Sequence, residues 1–173
     1  GYVCEGYWQD IGNLDQYRQA NFDALDERVQ LNVPGLKIRG DVWIGEGVEI
    51  DDVEGVEGPA FIGNYCTISP ESSVGPYSVL GPGTTLRERA RVARSVIDAS
   101  TYIGRSAVVE GAIVGRGCDI RAHVNPPQPL SSPVEIVHQL RQRPCFAANM
   151  LDLCRALYQF QICKAGLRRA RTG

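Results

Sequence analysis

The sequence lacks several features that would direct it to a membrane or out of the cell. No apolar run approaches the roughly 18 residues that a membrane-spanning helix needs. The first residues, GYVCEGYW, contain neither a basic segment nor an apolar core, so we expect no secretory signal. The six cysteines are scattered, without a CxxC pair or histidines at zinc-finger spacing. This pattern predicts the free thiols of a cytoplasmic protein and argues against a zinc site.

The charge is divided between the two ends of the chain. Residues 1–124 carry 18 acidic and 11 basic side chains, whereas residues 125–173 carry 2 and 7. The sign changes at the proline-rich stretch NPPQPLSSP, which indicates a boundary near residue 125. In NVPG, Pro34 and Gly35 indicate a second boundary, where the chain turns into the repeat. We therefore predict three parts, namely residues 1–33, 34–124 and 125–173.

An aliphatic residue recurs at every sixth position through the middle of the chain. Neither an α-helix, with its period of 3.6 residues, nor a hairpin meander produces a strict period of six. After two one-residue slips the series continues to Ile120. Its members are Ile38, Ile44, Ile50, Val56, Ile62, Ile68, Val74, Leu80, Leu86, Val92, Ile97, Ile103, Val109, Val114 and Ile120.

Small residues stand where this period requires corners. Glycine often follows the aliphatic residue, as in Gly45, Gly63 and Gly81, and a small or β-branched residue stands four positions after it. We expect the aliphatic side chain to fill the interior and the glycine to take a backbone conformation that is costly for other residues. Three sides would close one triangular coil of about eighteen residues, so residues 38–124 would hold about five coils.

The pattern [Ile/Val/Leu]-Gly-x-x-small-x resembles the hexapeptide repeat of left-handed parallel β-helices. Its clearest copies are IGEGVE, IGNYCT, VGPYSV, LGPGTT, IGRSAV and VGRGCD. The resemblance implies a mainly β fold of about five coils, to which an N-terminal helix and C-terminal helices are added. It implies no single activity, because acyltransferases, nucleotidyltransferase tails, carbonic anhydrase-like proteins and translation-factor subunits share the repeat.

Two segments within the repeat are rich in charged residues. The acidic segment DDVEGVEGPAF, residues 51–61, is either a site for a metal or a basic partner, or a solvated excursion from the coil. The arginine-rich segment LRERARVARS, residues 86–95, is either an anion groove or an exposed face with outward arginines. We favour the solvated interpretation for both segments.

A helix start precedes the repeat. Asn13 and Gln16 have the spacing of a capping box, which predicts a helix over residues 14–29. Its apolar face would comprise Leu14, Tyr17, Phe22, Leu25 and Val29. Asp10 lies just before this start, in WQDIG. Its carboxylate could hold Mg²⁺ together with substrate phosphates, or it could accept backbone donors in the turn; the spacing leaves both open.

The segment GYWQDIGNLDQYRQAN resembles the end of the catalytic domain of sugar-1-phosphate nucleotidyltransferases, and most closely the mannose-1-phosphate guanylyltransferase type. There, too, Trp-x-Asp-[Ile/Val/Thr]-Gly and a helix precede a hexapeptide β-helix. The resemblance implies that Asp10 helps to bind the catalytic Mg²⁺, and that the parent enzyme takes a sugar-1-phosphate and a nucleoside triphosphate. It also implies a homo-oligomer assembled through the β-helix, without nucleic acid or membrane as partners.

The sequence departs from that family in one respect. The Gly-x-Gly-[Thr/Ser]-Arg-Leu motif of the nucleotide-binding part is not found in it. We therefore expect a C-terminal fragment that is inactive by itself and has no further catalytic or nucleotide-binding residues. We also expect Tyr7 and Trp8 to be unusually exposed, because the sheet that covers them in the family would be missing.

The tail and His123 leave other interpretations open. Helices in residues 125–173 could cap the β-helix, form a surface for oligomers or partners, or be foreign coding; we expect the terminal LRRARTG to be solvated rather than bound to nucleic acid. One alternative is a hexapeptide acyltransferase with His123 as the general base. Another is a β-helix regulatory subunit without catalytic activity.

Overall fold

The computed structural model describes residues 6–29 and 31–121. The predicted C-terminal helices and His123 lie outside these residues. One α-helix, α1 (Leu14–Leu25), precedes the strands. The strands are β1 (Leu36–Ile38), β2 (Val42–Ile44), β3 (Glu49–Ile50), β4 (Ala60–Ile62), β5 (Thr67–Ile68), β6 (Ser73–Val74), β7 (Ser78–Leu80), β8 (Thr85–Leu86), β9 (Arg91–Ala93), β10 (Val96–Ile97), β11 (Tyr102–Ile103), β12 (Val108–Glu110), β13 (Ile113–Val114) and β14 (Asp119–Ile120), with short 3₁₀ turns at Arg39–Asp41 and Val53–Gly55.

The strands from β2 onward stack in parallel as the three sides of a triangular coil. Sheet A contains β2, β4, β7, β10 and β13; sheet B contains β3, β5, β8, β11 and β14; sheet C contains β6, β9 and β12, and Val56 extends it by a bridge to Val74. The predicted left-handed parallel β-helix is confirmed, with four complete coils and two sides of a fifth in the described part.

The predicted aliphatic series forms the interior column. Ile62, Leu80 and Ile103 are fully buried, and Ile44 and Ile50 at the open end are partly covered. Each buried aliphatic side chain contributes roughly 1.5–3 kcal/mol relative to exposure. Since every strand has only two or three residues, this column and the ladders between coils must supply the stability of the sheets.

The parallel coils begin one step later in the series than predicted, although Ile38 still packs against the interior column. Ile38 lies in β1, which pairs antiparallel with β2 and places Ile38 opposite Val42. Gly40 and Asp41 both have positive φ, so the chain reverses there instead of turning a corner. The first coil therefore opens at Val42.

The glycines that follow the aliphatic residues have a different role from the one predicted. Gly45, Gly63 and Gly81 are not left-handed; each lies where a side chain would strike the next coil. A Cβ at Gly81 would be 2.5 Å from the backbone nitrogen of Ala99. The left-handed corner residues come two positions later, and between sheets A and B they are Gly47, Tyr65, Gly83, Ser100 and Gly117.

Both one-residue slips of the series fall at the corner between sheets C and A. Ser78 pairs with Ala60, 18 residues before it. Val96 pairs with Val79, and Ile113 with Val96, each 17 residues apart. The third and fourth coils are therefore one residue shorter than the second.

The positions of the left-handed residues show that the shorter coils lack one residue between the aliphatic residue of sheet C and the left-handed residue of the corner that follows it. Tyr77 comes three positions after the aliphatic residue of its side, whereas Arg94 and Gly111 come two positions after Val92 and Val109. The ladder tolerates the shorter turn because the inward side chains remain in register.

Helix α1 ends four residues before the predicted position. Glu27 adopts a left-handed conformation, its amide donates to the carbonyl of Ala24, and the amide of Arg28 donates to the carbonyl of Asp23. These two bonds form a Schellman motif, which terminates a helix. The end of the helix could not be predicted from the sequence, because a Schellman motif usually has glycine at the position that Glu27 occupies. Among the described residues, no helix has the length and apolar character to cross a membrane.

We expect Gly81→Ala to destabilise the β-helix by about 3 kcal/mol or more, because the added Cβ meets the backbone of the next coil. Gly83→Ala is the matched control. Its φ is +69°, its nearest neighbour would be 3.7 Å away, and Tyr65 and Ser100 occupy the same corner position, so the expected cost is about 1 kcal/mol. Urea midpoints for the two variants measure the difference. Equal losses would contradict this explanation of the glycines.

Candidate functional site

Asp10 lies four residues before α1, in a segment without regular secondary structure. The residue is exposed, and its carboxylate accepts no hydrogen bond from the residues that the structure describes. The turn donors are satisfied by other groups, since Asn13 accepts from the amide of Gln16 at 2.9 Å and the Gln16 side chain accepts from the amide of Gly12 at 2.8 Å. The purely local role proposed for Asp10 is therefore not observed, and its role as a metal ligand stays a prediction.

The two aromatic residues of this segment differ in their environments. Trp8 is 75% exposed, as predicted. The prediction of unusual exposure was wrong for Tyr7, which is half-buried and donates its hydroxyl to Asp23 Oδ2 at 2.8 Å. Tyr7 is covered by α1 and not by the sheet that covers it in the family.

Asp23 is a buried carboxylate that the sequence analysis did not single out. Besides Tyr7, it accepts from the Gln19 amide at 3.0 Å and the Arg28 guanidinium at 3.3 Å, both through Oδ1. The helical spacing of Gln19 and Asp23 could have indicated that pair. The bond from Tyr7, 16 residues away, could not have been inferred from spacing.

Helix α1 is attached to the β-helix along the corner between sheets C and A. The guanidinium of Arg18 donates to the carbonyl of Gly111. The rings of Phe22 and Tyr77 have centroids 5.1 Å apart, and the Tyr77 hydroxyl donates to Asp26 Oδ1 at 3.0 Å. The hydrogen bond to Asp26 raises the pKa of Tyr77 above its usual value. These contacts run from the fourth coil back to the second, so α1 lies along the stack.

An open cleft of about 870 Å³ lies beside α1. It brings side chains of the segment before the helix and of α1 itself together with those of the shortened corner. Apart from Phe22 at its edge, the lining consists mainly of charged and amide groups, namely Gln9, Asp15, Gln16, Arg18, Gln19, Arg94 and Glu110, together with Gly111.

The stretch GPGTTL, residues 81–86, resembles a phosphate-binding loop in composition but does not have its structure. The amide of Gly81 donates to the carbonyl of Ile97 at 2.7 Å, and that of Gly83 to Asn64 at 2.8 Å. The Thr84 hydroxyl is buried and donates to the carbonyl of Gly81 at 2.7 Å. These donors are used within the β-helix, so this stretch cannot cradle a phosphate.

The acidic segment forms a surface excursion, as favoured above. Asp52 accepts from the amide of Glu54 at 2.9 Å and begins the 3₁₀ turn Val53–Gly55. No group of three or more potential metal ligands occurs within residues 6–29 and 31–121. The four acidic side chains of the segment, Asp51, Asp52, Glu54 and Glu57, are exposed, whereas Val56 and Ala60 are buried in the β-helix.

The arginine-rich segment is a surface of ion pairs between coils. Arg89 pairs with Glu71 at 3.0 Å, and Glu88 pairs with Arg87 at 3.1 Å and with Arg105 at 3.4 Å. Glu71 and Arg89 belong to successive coils, as do Glu88 and Arg105. Such exposed pairs contribute at most about 1 kcal/mol each.

The coils and the helix attached along them define the chain as a hexapeptide-repeat β-helix protein. Residues 56–139 match the family described as the GMPPB C-terminal domain. A glucose-1-phosphate thymidylyltransferase of Streptomyces antibioticus is 29% identical over 134 residues, which are 72% of this chain and 35% of that protein. A glucose-1-phosphate adenylyltransferase of Bacillus mycoides is 30% identical over 122 residues, covering 66% and 30%. A UTP–glucose-1-phosphate uridylyltransferase of Synechocystis sp. is 31% identical over 115 residues, covering 64% and 29%.

These matches confirm the predicted resemblance: the chain is similar to the C-terminal part of sugar-1-phosphate nucleotidyltransferases. It spans about a third of the length of the curated relatives that it matches. By their names, these relatives use three different nucleotides.

Burial, and then the hydrogen bond and charge of Asp23, raise the pKa of Tyr7 from 10.0 to about 12. The folded state therefore holds this proton more tightly than the unfolded chain. The linked stability is present below pH 10 and is lost as the pH rises toward 12. Tyrosinate absorbance at 295 nm should show a late-ionising tyrosine that Tyr7→Phe removes and Asp23→Ala shifts to lower pH. If Tyr7→Phe leaves the late step unchanged, the assignment is wrong.

Proposed function

We propose that this chain is the C-terminal, β-helical part of a sugar-1-phosphate nucleotidyltransferase. In this reaction a phosphate oxygen of the sugar-1-phosphate attacks the α-phosphorus of a nucleoside triphosphate; the bond to the β-phosphate breaks and pyrophosphate leaves. The observation that carries the proposal is the joint presence of the WQDIG segment and the β-helix, connected by a helix that contacts both. The similarity to transferases of three nucleotide types supports the reaction class.

The Asp10 carboxylate is suited to be one protein ligand of a Mg²⁺ ion. Magnesium in such sites takes one or two carboxylates and completes its shell with water and substrate phosphates. The exposed carboxylate of Asp10 is not engaged by the described residues, so it is available for this role. When bound, the ion would neutralise charge on the phosphates, and Asp10 would hold it near the end of the catalytic domain.

The finer proposal is that the substrates are mannose-1-phosphate and GTP. It rests on the resemblance of residues 6–21 to the mannose-1-phosphate guanylyltransferase type. The relatives reported above are named for glucose-1-phosphate and for thymidylyl, adenylyl and uridylyl transfer. Sugar and base are therefore the points on which experiment must decide.

The β-helix would serve assembly or regulation. Side chains alternate between the two faces of a strand, so the outward residues of sheet A are Trp43, Phe61, Val79, Val96 and Ile113. The equivalent row of sheet B is Glu49, Thr67, Thr85, Tyr102 and Asp119. Trp43, Phe61 and Val79 of this row are partly exposed and support association of copies through this end of sheet A, whereas Val96 and Ile113 are already buried within the chain.

We expect the isolated chain to release no pyrophosphate above background from mannose-1-phosphate, GTP and Mg²⁺. In the proposal, the nucleotide pocket belongs to the catalytic part of the enzyme. A phosphate-coupled assay with inorganic pyrophosphatase measures the release. Activity that rises in proportion to the chain concentration would contradict this division of the enzyme.

The coding DNA on the 5′ side of the Gly1 codon tests the reaction class. An in-frame Gly-x-Gly-[Thr/Ser]-Arg-Leu motif would support it, and the product of that frame should then release pyrophosphate. Asp10→Asn in that product should lower kcat by about 100-fold or more, since loss of groups around a metal already costs 10–100-fold. Asp51→Asn is a matched control, because this carboxylate is exposed on the first coil. A frame without the motif and a product without activity would favour the regulatory-subunit alternative.

We expect light scattering to give a mass above 18.9 kDa for the isolated chain. Phe61→Arg should lower the apparent mass by placing a charge on the outer row of sheet A. Thr67→Arg is the control, because this half-buried outward residue lies in the same coil but on sheet B. A monomeric chain, or equal effects of both substitutions, would contradict assembly through sheet A.

A further inference from the structure

The segment that carries Asp10 is held against α1 at two points. The Tyr7 hydroxyl donates to Asp23 at 2.8 Å, and the amide of Gly12 donates to the Gln16 side chain at 2.8 Å. The segment is therefore tied to α1 on both sides of Asp10, three residues before it and two residues after it.

Asp23 is itself fixed. Its side chain is 8% exposed, and each of its oxygens has a different set of donors. Oδ1 accepts from Gln19 and Arg28, so rotation of the carboxylate toward solvent would break those two bonds as well. The Arg28 guanidinium compensates the buried negative charge, and Oδ2 is left directed at Tyr7.

The helix that carries Asp23 is fixed to the β-helix in turn. Arg18 binds the carbonyl of Gly111, which is the left-handed residue of a shortened corner. Phe22 and Asp26 hold Tyr77, the left-handed residue of the same corner two coils earlier. The slips that interrupt the hexapeptide series thus coincide with the line along which α1 lies.

We propose that Asp23 is a positioning residue for Asp10: through the Tyr7 hydroxyl it fixes the segment that bears the metal ligand to a helix attached along the corner between sheets C and A of the β-helix. The assignment rests on the proposed function only in calling Asp10 a ligand. It links the β-helix to the metal end of the catalytic domain by side-chain contacts, beyond the continuity of the chain.

A simpler role for Asp23 would be to stabilise α1. In that case, loss of the Tyr7 hydroxyl would lower the melting temperature without a local effect on the segment. If Asp23 positions Asp10, the same loss would loosen residues 8–10, while the β-helix would melt as before. Local order and global stability therefore separate the two roles.

The test is ¹⁵N relaxation on the 173-residue chain, read at the amides of Trp8 and Asp10 and followed by thermal melting. In the unsubstituted chain we expect order parameters near 0.85, typical of rigid backbone, and in Tyr7→Phe values below about 0.6. Asp23→Ala should give the same loss at residues 8–10. The double variant should lose no more order at residues 8–10 than either single variant, because both substitutions remove the same hydrogen bond between Tyr7 and Asp23.

Two matched controls accompany these variants. Tyr65→Phe removes the hydroxyl of a tyrosine that is 64% exposed on another corner, and should change neither readout. Asp10→Asn should leave the order parameters unchanged, because the Asp10 carboxylate makes no hydrogen bond that fixes the segment to the rest of the described structure. Low order at residues 8–10 before any substitution, or unchanged order in Tyr7→Phe, would overturn the proposal.

The relaxation measurement uses neither substrate nor metal, so its outcome does not depend on the transferase reaction. If order is lost as expected but the complete enzyme proves inactive with every sugar phosphate, Asp23 still positions the segment and the proposed function fails. If the enzyme is active and sensitive to Asp10→Asn but order is unchanged in Tyr7→Phe, only the positioning role fails.

Discussion

The backbone ladder between successive coils is the constraint on which the rest of the structure depends. Each side has only two or three residues in strand conformation, so every coil is held by bonds such as that from the Gly81 amide to the carbonyl of Ile97, 2.7 Å long. The spacing of the ladder leaves room for one inward aliphatic side chain per side. It also leaves no room for a Cβ at positions such as Gly81. The six-residue pattern expresses both requirements at once.

The corners are less constrained than the sides, and the molecule varies there. Left-handed corner positions hold glycine in some coils and tyrosine, serine or arginine in others, and these side chains lie outside the interior column. One corner tolerates the loss of a residue in two successive coils, since the inward residues still pair in register. Helix α1 lies along that corner. The irregularity that weakens the repeat as a pattern therefore provides a place to attach a second element.

The surroundings of Asp10 depend on local hydrogen bonds at the start of α1 and on contacts between residues far apart in the sequence. Asp10 offers an exposed carboxylate because Asn13 and Gln16 satisfy the donors of the helix start. In the proposed arrangement, the position of Asp10 relative to the coils depends on Asp23, Arg18 and Tyr77, whose contacts each join residues far apart in the sequence. The β-helix would thereby contribute to the site through the helix that it holds.

The sequence by itself determined the β-helix, its interior column, the start of α1 at Asn13 and the resemblance carried by WQDIG, because each is expressed in local spacing. It misplaced the end of α1, since the left-handed residue is Glu27 and not glycine. The hydrogen bond between Tyr7 and Asp23 could not be predicted from the sequence, nor could the bond between Arg18 and Gly111, which are 93 positions apart. Only the tertiary structure decided these contacts, because stacking of the coils brings distant residues to one corner and no local period records it.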